Sequence, residues 1–142
     1  MIVVDTNVLV YAIGGPHPLR QPSARVVDAA RRGVVTARTI ESVYLELLQV
    51  LSRRLSRSEA AEAVRDYLVL LGPLLDVTDS DRAVAIDLFE RHPALGSVDA
   101  LVAAIGLRPE IEAVLTADSG FASVPGLRAL DPRSPELEAM IA

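Results

Sequence analysis

Short apolar runs alternate with helical patterns along this 142-residue chain. The runs of strand length lie at Ile2 to Asp5, Val34 to Thr36, Leu74 to Val77, Ala113 to Thr116 and Leu127 to Leu130. One helical pattern begins at Thr6, and the others span Pro22 to Arg32, Thr39 to Arg54, Ser58 to Leu71, Asp79 to Arg91 and Ser97 to Leu107. This alternation predicts an α/β fold with a mainly parallel central sheet between two layers of helices. The length predicts that residues 1–142 form one domain.

Composition excludes several kinds of chemistry. The chain has no cysteine, and all 14 of its basic side chains are arginine. A disulfide framework, a thiolate metal site, a cysteine nucleophile and any lysine-dependent catalysis are therefore excluded. The apolar runs are shorter than the roughly 18 residues of a membrane span. No signal-peptide pattern is present either, so we expect a cytoplasmic protein without a membrane partner.

The basic residues are few and clustered. A net charge of −5 argues against a surface that binds nucleic acid broadly, but it is compatible with a local basic path. The clustered arginines, interpreted first as solvated helix faces, are Arg31, Arg32, Arg53, Arg54 and Arg57. His17 and His92 each precede a proline, and we interpret both as surface residues in loops.

Two acidic residues are predicted at one edge of the sheet. Asp5 ends the first apolar run, and Asp118 follows the run at Ala113 to Thr116 by two residues. Ligands of parallel sheets bind outside the carboxyl ends of the strands, where both acids are expected. Each acid also has an ordinary structural explanation, since Asp5 could cap the next helix and Asp118 lies in the turn-like sequence TADSGF.

Further acids begin or border the helices. Asp99 lies in the first turn of a helix that is apolar almost all round, where Ser97 could serve as the cap. Glu41 and Glu46 both lie at edges of the apolar stripe of the long helix, and periodicity does not choose between them. If such carboxylates converge, each pair at about 5 Å repels by roughly 3 kcal/mol at an effective dielectric constant near 20. Because the available ligands are oxygens, a hard cation such as Mg²⁺ or Mn²⁺ is expected to neutralise them.

Four motifs in order carry a resemblance to a known family: VVDTNVLVYA, LELLQVL, SVDALVAA and LTADSGF. Together they resemble PIN-domain nucleases, and most closely the VapC toxins of bacterial toxin–antitoxin pairs. The resemblance implies that four acids surround a metal site, and it selects Glu46 over Glu41. The matching positions are Asp5, Glu46, Asp99 and Asp118, with Asn7 and Thr116 as supporting polar residues.

The resemblance also implies an activity and partners. These are metal-dependent hydrolysis of tRNA or another structured RNA, inhibition by a cognate VapB-type antitoxin, and a homodimer. We expect Asp5 and Asp99 to be direct ligands of Mg²⁺ or Mn²⁺, while Asp118 and Glu46 act through water or on a second ion. A PIN-like module that binds RNA or protein without cleaving it is the alternative. A haloacid dehalogenase-type phosphatase would need an acid where Asn7 stands, and a receiver domain would need a lysine.

Overall fold

Four short parallel strands form one sheet at the centre of the molecule. The computed structural model describes residues 1–142. The strands are β1 (Ile2–Val4), β2 (Ala37–Arg38), β3 (Ala113–Leu115) and β4 (Ala129–Leu130), in the order β2-β1-β3-β4. All three pairings are parallel, with Ile2 of β1 opposite Ala37 of β2 and Ala113 of β3. The predicted parallel α/β sheet is therefore confirmed.

Seven α-helices flank this sheet. They are α1 (Thr6–Ile13), α2 (Arg20–Arg31), α3 (Glu41–Leu51), α4 (Arg57–Leu71), α5 (Asp79–Arg91), α6 (Ser97–Gly106) and α7 (Pro135–Ile141), and a 3₁₀ helix spans Ser119–Ser123. Helix α1 packs against α2 and α3, α5 packs along α6, and α6 lies against β1 and β3. None of the helices combines the length and the apolar character that a membrane crossing requires.

The position of β1 and β3 in the core explains why their sequences are unbroken apolar runs. Every residue of both strands is buried, and the side chains of Ile2 and Val3 are fully inaccessible to solvent. Strands covered by helices on both faces have no solvent-facing positions, so they lack the alternation of a half-exposed strand. These two strands are thus the rigid centre from which the functional residues are positioned.

A buried ion pair ties the start of α5 to the end of α6. Asp81 caps α5 together with Thr78, whose hydroxyl accepts a hydrogen bond from the Asp81 N–H at 3.2 Å. The guanidinium of Arg108, just after α6, donates to both carboxylate oxygens of Asp81 and to the carbonyl of Asp76. These bonds hold the pKa of Asp81 well below its usual range.

Several predicted element boundaries are wrong. The strand expected at Val34 to Thr36 begins three residues later, at Ala37; Gly33 follows the end of α2 with a φ of +73°, and Val34 after it is exposed. The segment from Leu74 to Val77 is not a strand. Its Leu75 N–H bonds to the Thr39 carbonyl, but the segment makes no ladder and is only half-buried.

The ends of other elements also differ from those predicted. Helix α3 covers only Glu41–Leu51 of the predicted Thr39 to Arg54, and β4 is two residues of the predicted four. Helix α7 was not predicted, although Ser134 caps it and Pro135 occupies its first turn.

Candidate functional site

Asp5 lies in the core, at the junction between β1 and α1. Asp5 is only 1% exposed, and it is the N-cap of α1, with an extended backbone. The Oδ1 atom accepts a hydrogen bond from the Thr6 N–H at 2.8 Å. The capping explanation offered by the sequence therefore holds, but it uses only one of the two carboxylate oxygens.

The second oxygen of Asp5 belongs to a polar network that joins the ends of β1 and β3. Oδ2 accepts hydrogen bonds from the Thr116 hydroxyl at 2.8 Å and from the Asn7 side-chain amide at 3.1 Å. The side-chain Oδ1 atom of Asn7 accepts from the Ala117 N–H at 3.0 Å, and the Thr116 hydroxyl accepts from the Asp118 N–H at 3.0 Å. Asn7 and Thr116 thus fix the Asp5 carboxylate relative to the loop after β3.

The other three acids approach this centre from separate elements. Glu46 is half-buried on α3, whereas Glu41 at the start of the same helix is exposed. Asp118 caps the 3₁₀ helix, its Oδ1 accepting from the Gly120 N–H at 2.8 Å. Asp99 is half-buried in the first turn of α6.

The expected capping of α6 by Ser97 is wrong. Gly96 is the N-cap residue, and Ser97 is the first residue of the helix. The Gly96 N–H donates to Asp99 Oδ2 at 3.2 Å, so Asp99 itself satisfies the free backbone group at this helix start.

Electrostatics link the four acids in a row. The pKa of Asp5 is raised from 3.8 to about 6, chiefly by burial and also by the charges of Asp99 and Glu46, against the opposing hydrogen bonds from Thr116 and Thr6. Burial also raises the pKa of Asp99, to which the carboxylate of Asp118 adds. The charge effects thus connect Glu46 and Asp99 with Asp5, and Asp118 with Asp99, and we name these four residues the acid row.

The donor chemistry of the acid row suits a hard divalent cation. All of its ligand atoms are carboxylate oxygens, and neighbouring acids disfavour one another's charged forms. With the side chains as they stand, no group of three or more acidic or imidazole side chains is arranged to hold a metal ion. Mg²⁺ is commonly held by one or two carboxylates while it keeps several waters, so the chemistry of this donor set fits such an ion without a group of three ligands.

A groove beside the acid row was missed by sequence reasoning. It has a volume of about 180 Å³ and lies between α1 and α3. Its lining residues are Thr6, Asn7, Val10, Tyr11, Glu46, Val50 and Arg54. Tyr11 was treated only as part of an apolar helix, and Arg54 only as one member of a cluster. The spacing of Asn7 and Tyr11, one turn apart on α1, was the available signal that both share a face.

The two histidines differ in their surroundings. His17 is exposed, as expected, and its ring stacks on Tyr11 with 4.4 Å between ring centroids. His92 follows the last residue of α5 and is half-buried, with Nδ1 at 3.3 Å from the Ser123 hydroxyl, so it too is a loop residue at the surface.

Comparison with known proteins assigns the family. The model of the PIN domain family matches residues 2–127. The chain belongs to the PIN domain family. This PIN domain is 36% identical over 128 residues to Ribonuclease VapC7 of Mycobacterium tuberculosis, an alignment that covers 87% of this chain and 86% of that protein. It is 32% identical over 123 residues to Ribonuclease VapC23 of the same species, covering 87% and 97% of the two chains.

A solved structure has the same fold. The crystal structure of VapBC2 from Rickettsia felis, bound to a DNA fragment from their promoter, superposes on this PIN domain with a TM-score of 0.69. The superposition covers 92% of this chain and 98% of the other at 19% sequence identity, which supports the fold alone.

Proposed function

We propose that this PIN domain is a metal-dependent endoribonuclease, the toxin of a VapBC-type toxin–antitoxin pair, which hydrolyses phosphodiester bonds in tRNA or another structured RNA. The observation that carries the proposal is the buried carboxylate of Asp5, held by Thr116 and Asn7 beside the charges of Asp99 and Glu46. A cap alone needs neither this burial nor these neighbours. The names of the relatives, which are ribonucleases, support the same reaction.

Each residue of the site has a proposed role. Asp5 and Asp99 hold Mg²⁺ or Mn²⁺, while Asp118 and Glu46 act through water or on a second ion. Thr116 and Asn7 are positioning residues, because they fix the Oδ2 atom of Asp5. A divalent ion held by these carboxylates would supply Lewis acidity that activates a water and offsets charge on the phosphate. The ion also resolves the conflict between an acidic site and a polyanionic substrate.

Partners and assembly follow from the same proposal. A VapB-type antitoxin inhibits the enzyme in the cytoplasm, a pairing supported by the VapBC2 complex that shares the fold. Residues 1–142 act as one domain, and two copies form a homodimer through α5, where Ile86 is 67% and Phe89 is 55% exposed. Apolar side chains of this size on one helix face are typical of interfaces.

Substitution of the acids tests the proposal. We expect Asp5→Asn and Asp99→Asn to abolish Mg²⁺-dependent cleavage of total tRNA, because each loses a ligand charge while keeping the size and shape of the side chain. Asn still caps helix α1, so the Asp5→Asn protein remains folded.

Two glutamates on α3 provide a matched pair. Glu46→Gln should reduce cleavage strongly, whereas Glu41→Gln, at an exposed position outside the acid row, should leave it unchanged. Full activity of Asp5→Asn would contradict the catalytic assignment. RNA binding by a wild-type protein that cleaves with neither Mg²⁺ nor Mn²⁺ would favour the alternative, a non-cleaving RNA-binding module.

A further inference from the structure

The groove between α1 and α3 begins at the acid row and extends outward. Glu46 and Asn7 form its inner end, since Asn7 bonds to Asp5 and the Glu46 charge acts on the same carboxylate. Tyr11 lies one helical turn beyond Asn7, about 6 Å along α1. Val50 lies one turn beyond Glu46 on α3, and Arg54 follows that helix. The groove therefore changes from acidic at the inner end to aromatic and basic at the outer end.

Arg54 supplies the only positive charge among the lining residues. It is exposed and takes part in none of the eight ion pairs of the molecule. Its guanidinium lies beside Gly14, where a Cβ atom would come within 3.9 Å of Nη1. Gly14 ends α1, and the carbonyl end of a helix attracts a cation. The guanidinium thus lies at the groove with its charge unpaired.

Tyr11 supplies the aromatic surface of the groove. Its ring is half-buried and stacks on His17, with an angle of 22° between the ring planes. His17 does not line the groove, and its Nδ1 atom accepts a hydrogen bond from the Leu19 N–H at 3.1 Å. The imidazole therefore backs the Tyr11 ring and holds it in place, which lowers the entropy cost of stacking a further ring against it.

We propose that this groove holds the nucleotide next to the scissile phosphate of a single-stranded RNA segment, with its base against Tyr11 and its phosphate on Arg54. An unpaired guanidinium and a fixed aromatic ring are the two groups that recognise phosphate and base without dependence on sequence. The inference rests on the proposed ribonuclease function, and it assigns binding residues that lie outside the acid row.

Binding without cleavage tests the inference. The probe is a fluorescein-labelled 12-nucleotide oligoadenylate, titrated in EDTA so that no metal is present, with fluorescence anisotropy as the readout. We expect Tyr11→Leu to weaken binding roughly tenfold, whereas Tyr11→Phe, which keeps the ring, stays within about twofold of wild type. His17→Ala should weaken binding less than Tyr11→Leu, because it removes only the support of the ring.

Adjacent arginines provide the control for charge. Arg54→Ala should weaken binding and lower the slope of log K against log salt by about 0.7, the value for one phosphate contact on a single strand. Arg53→Ala removes the same charge from a position outside the groove and should change neither quantity. Equal effects of the two variants, unchanged affinity of Tyr11→Leu, or absence of wild-type binding would overturn the inference.

Steady-state cleavage of total tRNA separates this inference from the proposed function. Tyr11→Leu and Arg54→Ala should raise KM severalfold with little change in kcat, since neither residue belongs to the acid row. Active variants with unchanged KM would refute the groove and leave the nuclease in place. The expected binding pattern in a protein that cleaves no RNA would refute the nuclease and support the groove. Melting temperatures equal to that of wild type confirm that the variants are folded.

Discussion

At the scale of single residues, Asp5 is both the cap of helix α1 and a member of the acid row. Its Oδ1 atom caps α1, which any short polar side chain could do, while Oδ2 is fixed by Thr116 and Asn7. A buried carboxylate with three hydrogen bonds would normally have a low pKa, yet the pKa is raised to about 6 because desolvation and two neighbouring acids prevail. The fold thus tolerates a charge that it does not stabilise.

The first prediction concerns the pH dependence of stability in metal-free protein. Because the folded-state pKa of Asp5 lies above its ordinary value of 3.8, the native state binds the proton more tightly than the unfolded state does. This contribution is fully present below pH 4 and is lost as the pH rises through 6, a change of about 3 kcal/mol. Asp5→Asn should remove it. Urea unfolding in EDTA between pH 4 and 7 measures how the free energy of unfolding of wild type and of Asp5→Asn depends on pH. If the two proteins show the same dependence, the raised pKa of Asp5 is contradicted.

The second prediction concerns Gly120, whose neighbours leave no room for a side chain. A Cβ atom there would lie 2.8 Å from the Ala94 carbonyl oxygen and 3.1 Å from Asp118 Oδ1. We expect Gly120→Ala to displace Asp118, to destabilise the protein by about 1 to 3 kcal/mol and to lower RNA cleavage.

Gly15 is the control for that substitution, since nothing lies within 4 Å of a Cβ atom at this position. Gly15→Ala should retain the stability of wild type in the same urea titration. A Gly120→Ala protein as stable and active as Gly15→Ala would show that the loop after β3 adapts without moving Asp118.

Residue-level prediction from sequence reached the acids but not all of their surroundings. Strand ends placed Asp5 and Asp118 at one edge of the sheet, because parallel strands align their carboxyl ends. Choosing Glu46 over Glu41 needed the family resemblance, since both lie at an edge of the same helical stripe. The stack of Tyr11 on His17 depends on how the loop after α1 folds back, and no local pattern encodes that path.

At the scale of elements, α5 and α6 are joined by more than apolar packing. The side chains of Asp81 and Arg108 are only 9% and 19% exposed, and their ion pair closes the end of the helix pair. Its counterpart on the surface of α5 is the pair between Asp79 and Arg82, in which both side chains are largely exposed. The two ion pairs therefore allow the contribution of a largely buried pair to stability to be compared with that of an exposed pair on the same helix.

The prediction is that Asp81→Asn destabilises the protein by about 2 to 4 kcal/mol, because it leaves the Arg108 guanidinium without its partner. Arg82→Ala should cost less than about 0.5 kcal/mol, as exposed pairs do. Since the pKa of Asp81 is lowered in the fold, its contribution is present above pH 4 and is lost as the pH falls. Urea titrations at pH 7 and pH 3 test both statements, and equal losses in the two variants would contradict them.

Element prediction failed where pairing partners decide the structure. The apolar run at Leu74 to Val77 has strand-like composition, but it follows Gly72 and Pro73 and finds only the Thr39 carbonyl as a backbone partner. β2 is placed by its register against Ile2 rather than by its own sequence, which explains the shift of three residues. Long periodic helices such as α4 and α5 were predicted to within one residue, because many positions agree on one face.

At the scale of the whole molecule, the exposed face of α5 bears on assembly. A shallow cavity of about 220 Å³ lies between Ala85, Ile86, Phe89 and Ser97. We expect the protein to elute as a dimer at tens of micromolar in size-exclusion chromatography with light scattering, and Ile86→Asp to elute as a monomer, because the charge must be desolvated in the interface. Val69→Asp, at a position on α4 that is 86% exposed, is the control and should remain dimeric. A monomeric wild-type protein, or a dimeric Ile86→Asp, would exclude this interface.

The order of strands in the sheet has a consequence for synthesis on the ribosome. β1 pairs with β3, and the paired residues Ile2 and Ala113 are more than one hundred residues apart in the sequence. Contacts of such sequence separation close late and slow the search for the native state. Asp5 receives the hydroxyl of Thr116 only after the segment through Thr116 has been synthesised, so a chain that stops before Thr116 cannot assemble the acid row. We therefore expect chains truncated before Thr116 to have no ribonuclease activity.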